Sequence, residues 1–474
     1  MRPAFSAAVA LVVGLGIASP LWAAVRVDVN AELRLLELGQ TAPRHIPGAT
    51  YRVAVFTYED PDGTGLGNEA AALVERAILT GNSASSLGVL RYEGDLSPRH
   101  PGDLGYFDKV ERVVASQGVA LAVWGRIARS RGGLLVDTYA QVPAQTVDSR
   151  LTWRLRLPKE MGGEPLLARL RPNRFLIQRL QLPLGGADAI RSAAQRLDEL
   201  RRTPADAAAI AGRLPREHVY SLLRRQDQWV FLQVQGGPGG WARLPACPGE
   251  CDGFLNAASF AGGLIGYMES GSAPPELPGL TPEALAVRDQ LLALDALNDP
   301  RLVGHSVDLA RRWATRAAKP PGASTGTGTA VPPGGAAAAN AAAMAHVSSL
   351  LLDGFSAAYE RTRPELESLR QAVREGREQA PVGVTMGPAA FEATGLRRLS
   401  PLEVGLVYDR IRVDRESLRS IAFELVDAAL LDPRNAELLR NIAVLFRSSG
   451  DAERAAKADR LAGEASRQRT GSTR

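Results

Sequence analysis

From Tyr51 onward the hydrophobic positions change period repeatedly, and each change marks an element. Residues 51–58 (YRVAVFTY) are apolar at odd and even positions alike, which predicts a central strand covered on both faces. After an acidic, glycine-rich loop at 59–67, Ala70, Leu73, Val74, Ala77 and Ile78 form the stripe of an amphipathic helix. Residues 87–92 predict a second strand, and Leu104, Phe107, Val110 and Val114 a second helix ended by Gly118. Residues 119–127, 134–142 and 151–157 then read as three consecutive strands, the first two joined across Arg131-Gly132-Gly133. In the last of these Leu151, Trp153, Leu155 and Leu157 face inward while Thr152, Arg154 and Arg156 face water. This order predicts an α/β sandwich over 49–157, with helices on one face of a mixed sheet.

Residues 158–206 form a connecting segment, with a strand predicted at 174–182 and a helix at 187–202. Strands follow at 219–223, 228–234 and 240–244, the last two joined by the turn Gly236-Gly237-Pro238-Gly239. Residues 280–318 predict a helical hairpin broken at Pro300. The stretch 319–342 (KPPGASTGTGTAVPPGGAAAANAA) has the composition of a low-complexity linker. An α-helical region is expected over 343–466, opening with a long helix at 344–377 that is kinked or restarted near Pro364. The chain as a whole is expected to be multidomain α+β.

Three segments resemble known families. The β-α-β-α-β-β-β order, with Val53-Ala54-Val55-Phe56 and Gly118-Val119-Ala120-Leu121-Ala122-Val123-Trp124-Gly125-Arg126-Ile127, resembles the N-terminal domain of TolB and related envelope domains. That resemblance implies docking onto protein partners and transfers no catalytic residue. A polar turn before Trp229-Val230, followed by Gly240-Trp241 entering the next strand, resembles a bacterial SH3 domain. It implies a small β-barrel over 207–270, a groove lined by Tyr220, Trp229 and Trp241, and a cell-wall peptide as ligand. Leu431-Asp432-Pro433-Arg434-Asn435 leads into Leu439, Ile442, Ala443, Phe446, Gly450, Ala455 and Ala462, spaced as in a tetratricopeptide repeat of about 34 residues over 411–462. Asp459 departs from that pattern at a position usually aromatic, and the preceding helix pair matches only in its second helix. The repeat implies a polypeptide-binding scaffold, with Leu439 and Phe446 as partner-binding residues.

The start of the chain sets the expected compartment. Met-Arg-Pro precedes a nearly uncharged run at 7–21 and then Leu21-Trp22-Ala23-Ala24, so 1–24 reads as a cleavable signal peptide. An uncleaved anchor is the alternative, but the apolar core is shorter than the roughly 20 residues that span a bilayer. A periplasmic protein is expected, with no transmembrane segment after cleavage. Cys247 and Cys251, in Cys-Pro-Gly-Glu-Cys, would there close a disulfide contributing at most about 2 kcal/mol, less any strain. A redox-active pair is the alternative, although such pairs usually carry two intervening residues at a helix start. Metal binding would need two more ligands nearby, and none is evident.

Composition and motifs argue against enzyme chemistry. The 474 residues are 45% hydrophobic and 23% charged, with a net charge of +5 carried mostly by arginine. No basic block is dense enough to suggest a nucleic-acid surface. Gly304-His305-Ser306-Val307-Asp308 lacks the closing glycine of a nucleophile elbow. Asp60-Pro61-Asp62-Gly63-Thr64-Gly65 starts like a calcium loop, yet Ala71 stands where the bidentate glutamate belongs. The glycines at 63, 65 and 67 do not have dinucleotide-binding spacing, and His45, His100, His218, His305 and His346 have no zinc spacing. The expectation is a non-enzymatic periplasmic scaffold without cofactor or metal. It would bind envelope proteins, with peptidoglycan as a further candidate ligand and no nucleic acid. The alternatives are a cell-wall-modifying hydrolase with an unrecognised site, or a secretion or outer-membrane assembly factor.

Overall fold

The computed structural model describes residues 51–377 and 399–471, apart from breaks at 82–86, 93–104, 172, 184, 195–198, 215–218, 235–236, 245–251, 297–307, 311 and 313–334. The signal-peptide segment, both cysteines and most of the second arm of the 280–318 hairpin lie outside the described residues. The protein is mixed α+β. Its chain divides into two compact units, each discontinuous in sequence: 1–146 with 173–281, and 147–172 with 282–474.

In the first unit, strand β1 (Tyr51–Phe56) is buried at all six positions, as its unbroken apolar run requires. Helix α1 (Gly67–Gly81) leads to β2 (Leu87–Tyr92), and α2 (Tyr106–Gln117) ends at Gly118 in the left-handed conformation. β3 (Leu121–Ser130) and β4 (Gly133–Gln141) then form the expected hairpin. β1 pairs in parallel with β2 on one side and β3 on the other. Right-handed crossovers running in opposite directions place α1 and α2 on opposite faces. Tyr106, Val110 and Val114 of α2 pack on Ala54, Phe56, Leu90 and Trp124, whereas Arg91, on the alternate face of β2, pairs with Glu75 of α1 at 3.7 Å. The expectation of helices on one face only is corrected accordingly.

A second correction concerns residues 151–157. The chain leaves the first unit through α3 (Ala144–Arg150), and β5 (Thr152–Arg156) pairs with β6 (Pro165–Arg169) as a separate two-stranded sheet in the second unit. The place beside β4 is taken by β7 (Arg174–Leu182), whose nine residues pair along nearly the whole of β4. Leu151, Leu155 and Leu157 are buried as their alternation requires, and Leu155 and Leu157 belong to the core of a helical body rather than to the large sheet.

Back in the first unit, the helix expected at 187–202 is shorter. α4 (Gly186–Ala193) gives way to β8 (Glu199–Arg201), followed by β9 (Ile210–Arg213), β10 (Val219–Gln226), β11 (Trp229–Val234) and β12 (Gly239–Arg243). β10 pairs with β2, so these strands extend one ten-stranded sheet in the order β7-β4-β3-β1-β2-β10-β11-β12-β8-β9. Among the described residues no closed barrel is found. Residues 252–270, expected within a β domain, form helix α5 (Asp252–Ser270), which lies against α1; Tyr51 donates to the Met268 carbonyl at 3.1 Å.

The second unit continues with α6 (Pro282–Asp295), then α7 (Gly335–Arg374), which includes Pro364 without interruption. The last eight residues of the expected linker are therefore helical. Ala336, Ala337, Ala338, Asn340 and Ala341 are buried. Alanine has the highest helix propensity and lets helices approach closely, unlike the glycine and serine with which composition alone groups it. α7 is also long and apolar enough to cross a membrane, with a mean hydropathy of 1.3 over the apolar window, 56% of which is buried inside the protein. α8 (Pro401–Asp409) begins with a capping box between Ser400 and Glu403. α9 (Arg415–Leu431), α10 (Ala436–Ser448) and α11 (Ala452–Gly471) follow as packed antiparallel neighbours. Gly450, at φ +88°, makes the turn between the last two, and Ala443, Ala455 and Ala462 are buried where the helices meet.

Gly125 in β3 gives a direct check of the first unit. A Cβ there would meet the Tyr58 ring at 2.1 Å and the Asp137 carbonyl oxygen at 2.4 Å, and Tyr58 shares a 2.9 Å hydrogen bond with Thr138. Gly125→Ala is expected to lose about 1–3 kcal/mol in urea denaturation. Unchanged stability would mean that the Tyr58 ring does not lie on β3.

Candidate binding site

Strand register brings one set of side chains together on the outer part of the large sheet. β10, β11, β12, β8 and β9 are successive neighbours, and their pairings align Arg224, Phe231, Trp241, Arg201 and Ile210 in one row across five strands. Gln226, Trp229 and Arg243 form a parallel row. The alternate positions, Val230, Leu232, Val234 and Ala242, are all buried and make the core face. Phe231 and Trp241 are half-buried and meet edge to face with centroids 5.5 Å apart. Arg201 donates to Glu199 at 3.1 Å and to the Ala208 carbonyl at 3.0 Å; Arg243 grips both Asp206 oxygens at 3.1 and 3.0 Å. These acids hold the guanidinium groups in place beside the aromatic pair.

Of the expected aromatic trio, Trp229 and Trp241 therefore share a face, Trp229 as a buried residue and Trp241 half-buried. Position 220 pairs with Val234, outside that set. Phe231 and Ile210 were not expected to contribute. The period-two spacing of Trp229 and Phe231 could have indicated the first; nothing in the sequence aligns Ile210 with them, because a register shift between β8 and β9 does so.

The second unit contains a different arrangement. The outer edge of β6 has no neighbouring strand, and buried side-chain amides from three helices take that place. Asn441 accepts from the Leu167 N–H at 3.0 Å and donates to the Leu167 carbonyl at 2.6 Å. Asn340 donates to the same carbonyl at 2.7 Å and accepts from Asn441 at 2.6 Å. Gln290 repeats the pattern two residues along, donating to the Arg169 carbonyl at 2.8 Å and accepting from the Arg171 N–H at 3.0 Å. Side chains that present both a donor and an acceptor satisfy a strand edge as another strand would.

Charged and hydroxyl groups complete this clasp. Arg169 pairs with Glu437 and Asp148, Lys159 with Asp409 at 3.1 Å, and Arg447 with Glu164 and Asp459. Ser448 donates to the Met161 carbonyl at 2.7 Å, and Tyr408 donates to the Arg156 carbonyl. Burial pushes the Glu437 carboxyl above the usual carboxylate range, with Arg169 pulling it back. Leu439 and Phe446, expected to face partners, are core residues at 6% and 3% exposure. Both pack within the helical body itself, Phe446 edge to face with Phe423 at 5.3 Å.

Among the described residues no group of three or more His, Cys, Asp or Glu side chains could hold a metal ion. The Asp60 carboxylate is occupied by its own loop, accepting from Thr64 N–H at 2.8 Å and Gly65 N–H at 2.7 Å, while Asp62 accepts from Arg129 N–H at 2.6 Å. Most of 304–308 lies outside the described residues, as do all the histidines except His346. Compared with known proteins, the chain matches no protein-family model, no curated protein and no solved structure.

Two outcomes test the clasp. Asn441→Leu strands the Leu167 N–H and should lower the unfolding free energy by about 1–3 kcal/mol, read by chemical denaturation; an unchanged value would contradict the clasp. Because the folded state raises the Glu437 pKa above the ordinary 4.5, the folded protein there holds a proton that the unfolded chain releases. Its contribution to stability should therefore fall as pH rises from about 4.5 through the raised value. Glu437→Gln should remove that part of the pH dependence in thermal unfolding, and a parallel profile in the variant would count against it.

Proposed function

We propose that this protein is a non-enzymatic scaffold of the bacterial cell envelope, exported to the periplasm after loss of residues 1–24. On this reading the first unit carries a TolB-like α/β region and an SH3-like strand segment, and the second a tetratricopeptide-like helical repeat. The observation that carries the proposal is the row Arg224, Phe231, Trp241, Arg201 and Ile210 on the outer sheet, an aromatic and arginine surface suited to peptidoglycan. The amide clasp on β6 is internal to the second unit and supports the reading only as part of a rigid helical body.

Incubation of the purified mature protein with isolated sacculi separates this reading from that of a hydrolase. The protein is expected to co-sediment with the sacculi and to release no soluble muropeptides. Release that depends on protein concentration would replace the scaffold with an enzyme, and absence of sedimentation would remove peptidoglycan from its ligands.

A further inference from the structure

We propose that the row Arg224, Phe231, Trp241, Arg201 and Ile210 is a platform for an anionic glycan, an inference that rests on the peptidoglycan contact above and specifies its chemistry. Five adjacent strands at a spacing of about 4.8 Å make the row about 19 Å long, the dimension of an extended oligomer rather than a single small molecule. The middle of the row is aromatic, with Phe231 and Trp241 half-buried, and Ile210, 48% exposed, closes the far end beyond Arg201. Leu223, 42% exposed, lies at the register shift in β10 beside Arg224. The reverse face of the same strands is core, so the platform is backed by a packed layer.

Charge gives the ligand its sign. Residues 199–244 carry seven arginines against four acidic residues, an excess of three in a chain whose net charge is +5. Glu199 and Asp206 fix Arg201 and Arg243 at the margin of the aromatic pair, while Arg224 is exposed at the end of the row. A sugar ring offers a flat face of C–H bonds to aromatic side chains, and its hydroxyl and carboxylate groups project from the edge toward arginine and glutamine. Gln226, exposed in the neighbouring row, adds an amide that can donate and accept.

The test uses the full mature chain and glycan strands stripped of their stem peptides, which leaves the lactyl carboxylates free. Intact sacculi, free stem peptide, neutral chitin oligomers and anionic lipid vesicles are run in parallel. The stripped glycan should bind, more tightly than the neutral oligomer and less tightly as salt rises. Arg224→Glu, at an exposed position and checked for unchanged unfolding, should weaken binding about tenfold, and Trp241→Ala at least as much. Equal affinity for neutral and anionic glycan, or no effect of Arg224→Glu, would overturn the inference. Binding to sacculi and stem peptide without binding to stripped glycan would overturn it while leaving the scaffold reading intact. Binding to vesicles alone would make the face a membrane contact and overturn it, and binding to none of these would remove the peptidoglycan contact as well.

Discussion

A strand packed among helices has an edge that no other strand completes, and each main-chain group left unpaired there costs about 1–3 kcal/mol. The second unit is arranged around that requirement. Gln290, Asn340 and Asn441 stand on three different helices, so satisfying β6 fixes where each of those helices lies along the strand. Leu155, Leu157, Leu166 and Ala168 add apolar burial on the inward face of the hairpin, and the alanines of α7 let that helix join the same core. The chain crosses between the units after residues 146, 172 and 281. The hairpin thus belongs with helices that begin more than a hundred residues later in sequence.

The first unit separates packing from exposure along one sheet. Its central parallel strands are covered on both faces, with Phe56, Tyr92 and Trp124 committed to the core. Toward β9 the sheet becomes antiparallel and one face opens, where alternation leaves aromatic and arginine side chains at the surface. The surface proposed for binding lies on this outer part, away from the strands committed to the core.

Local pattern made much of this legible. An unbroken apolar run identified β1, a helical stripe identified α1, the repeat spacing located α10, and glycines marked the ends at Gly118 and Gly450. What the sequence did not show were the choices made between distant segments. Residues 151–157 alternate as any half-covered strand does, and nothing local says that helices rather than a sheet cover them. The alanines at 336–341 looked like linker because their value lies in how closely a partner helix can approach. Asn441 and Gln290 carry no motif at all; they become a clasp only when folding places them opposite β6. Leu439 and Phe446 were expected to contact a partner because a repeat pattern gives spacing but not whether the chain's own helices already fill the groove.

Native-state hydrogen exchange of the full chain, resolved to β6, tests the central claim most directly. If helix-borne amides complete the strand edge, the Leu167 and Arg171 amides should exchange only as slowly as the buried core of α10, through the same opening of the unit. Exchange at the rate of a solvent-exposed edge, well ahead of α10, would show that the clasp does not form.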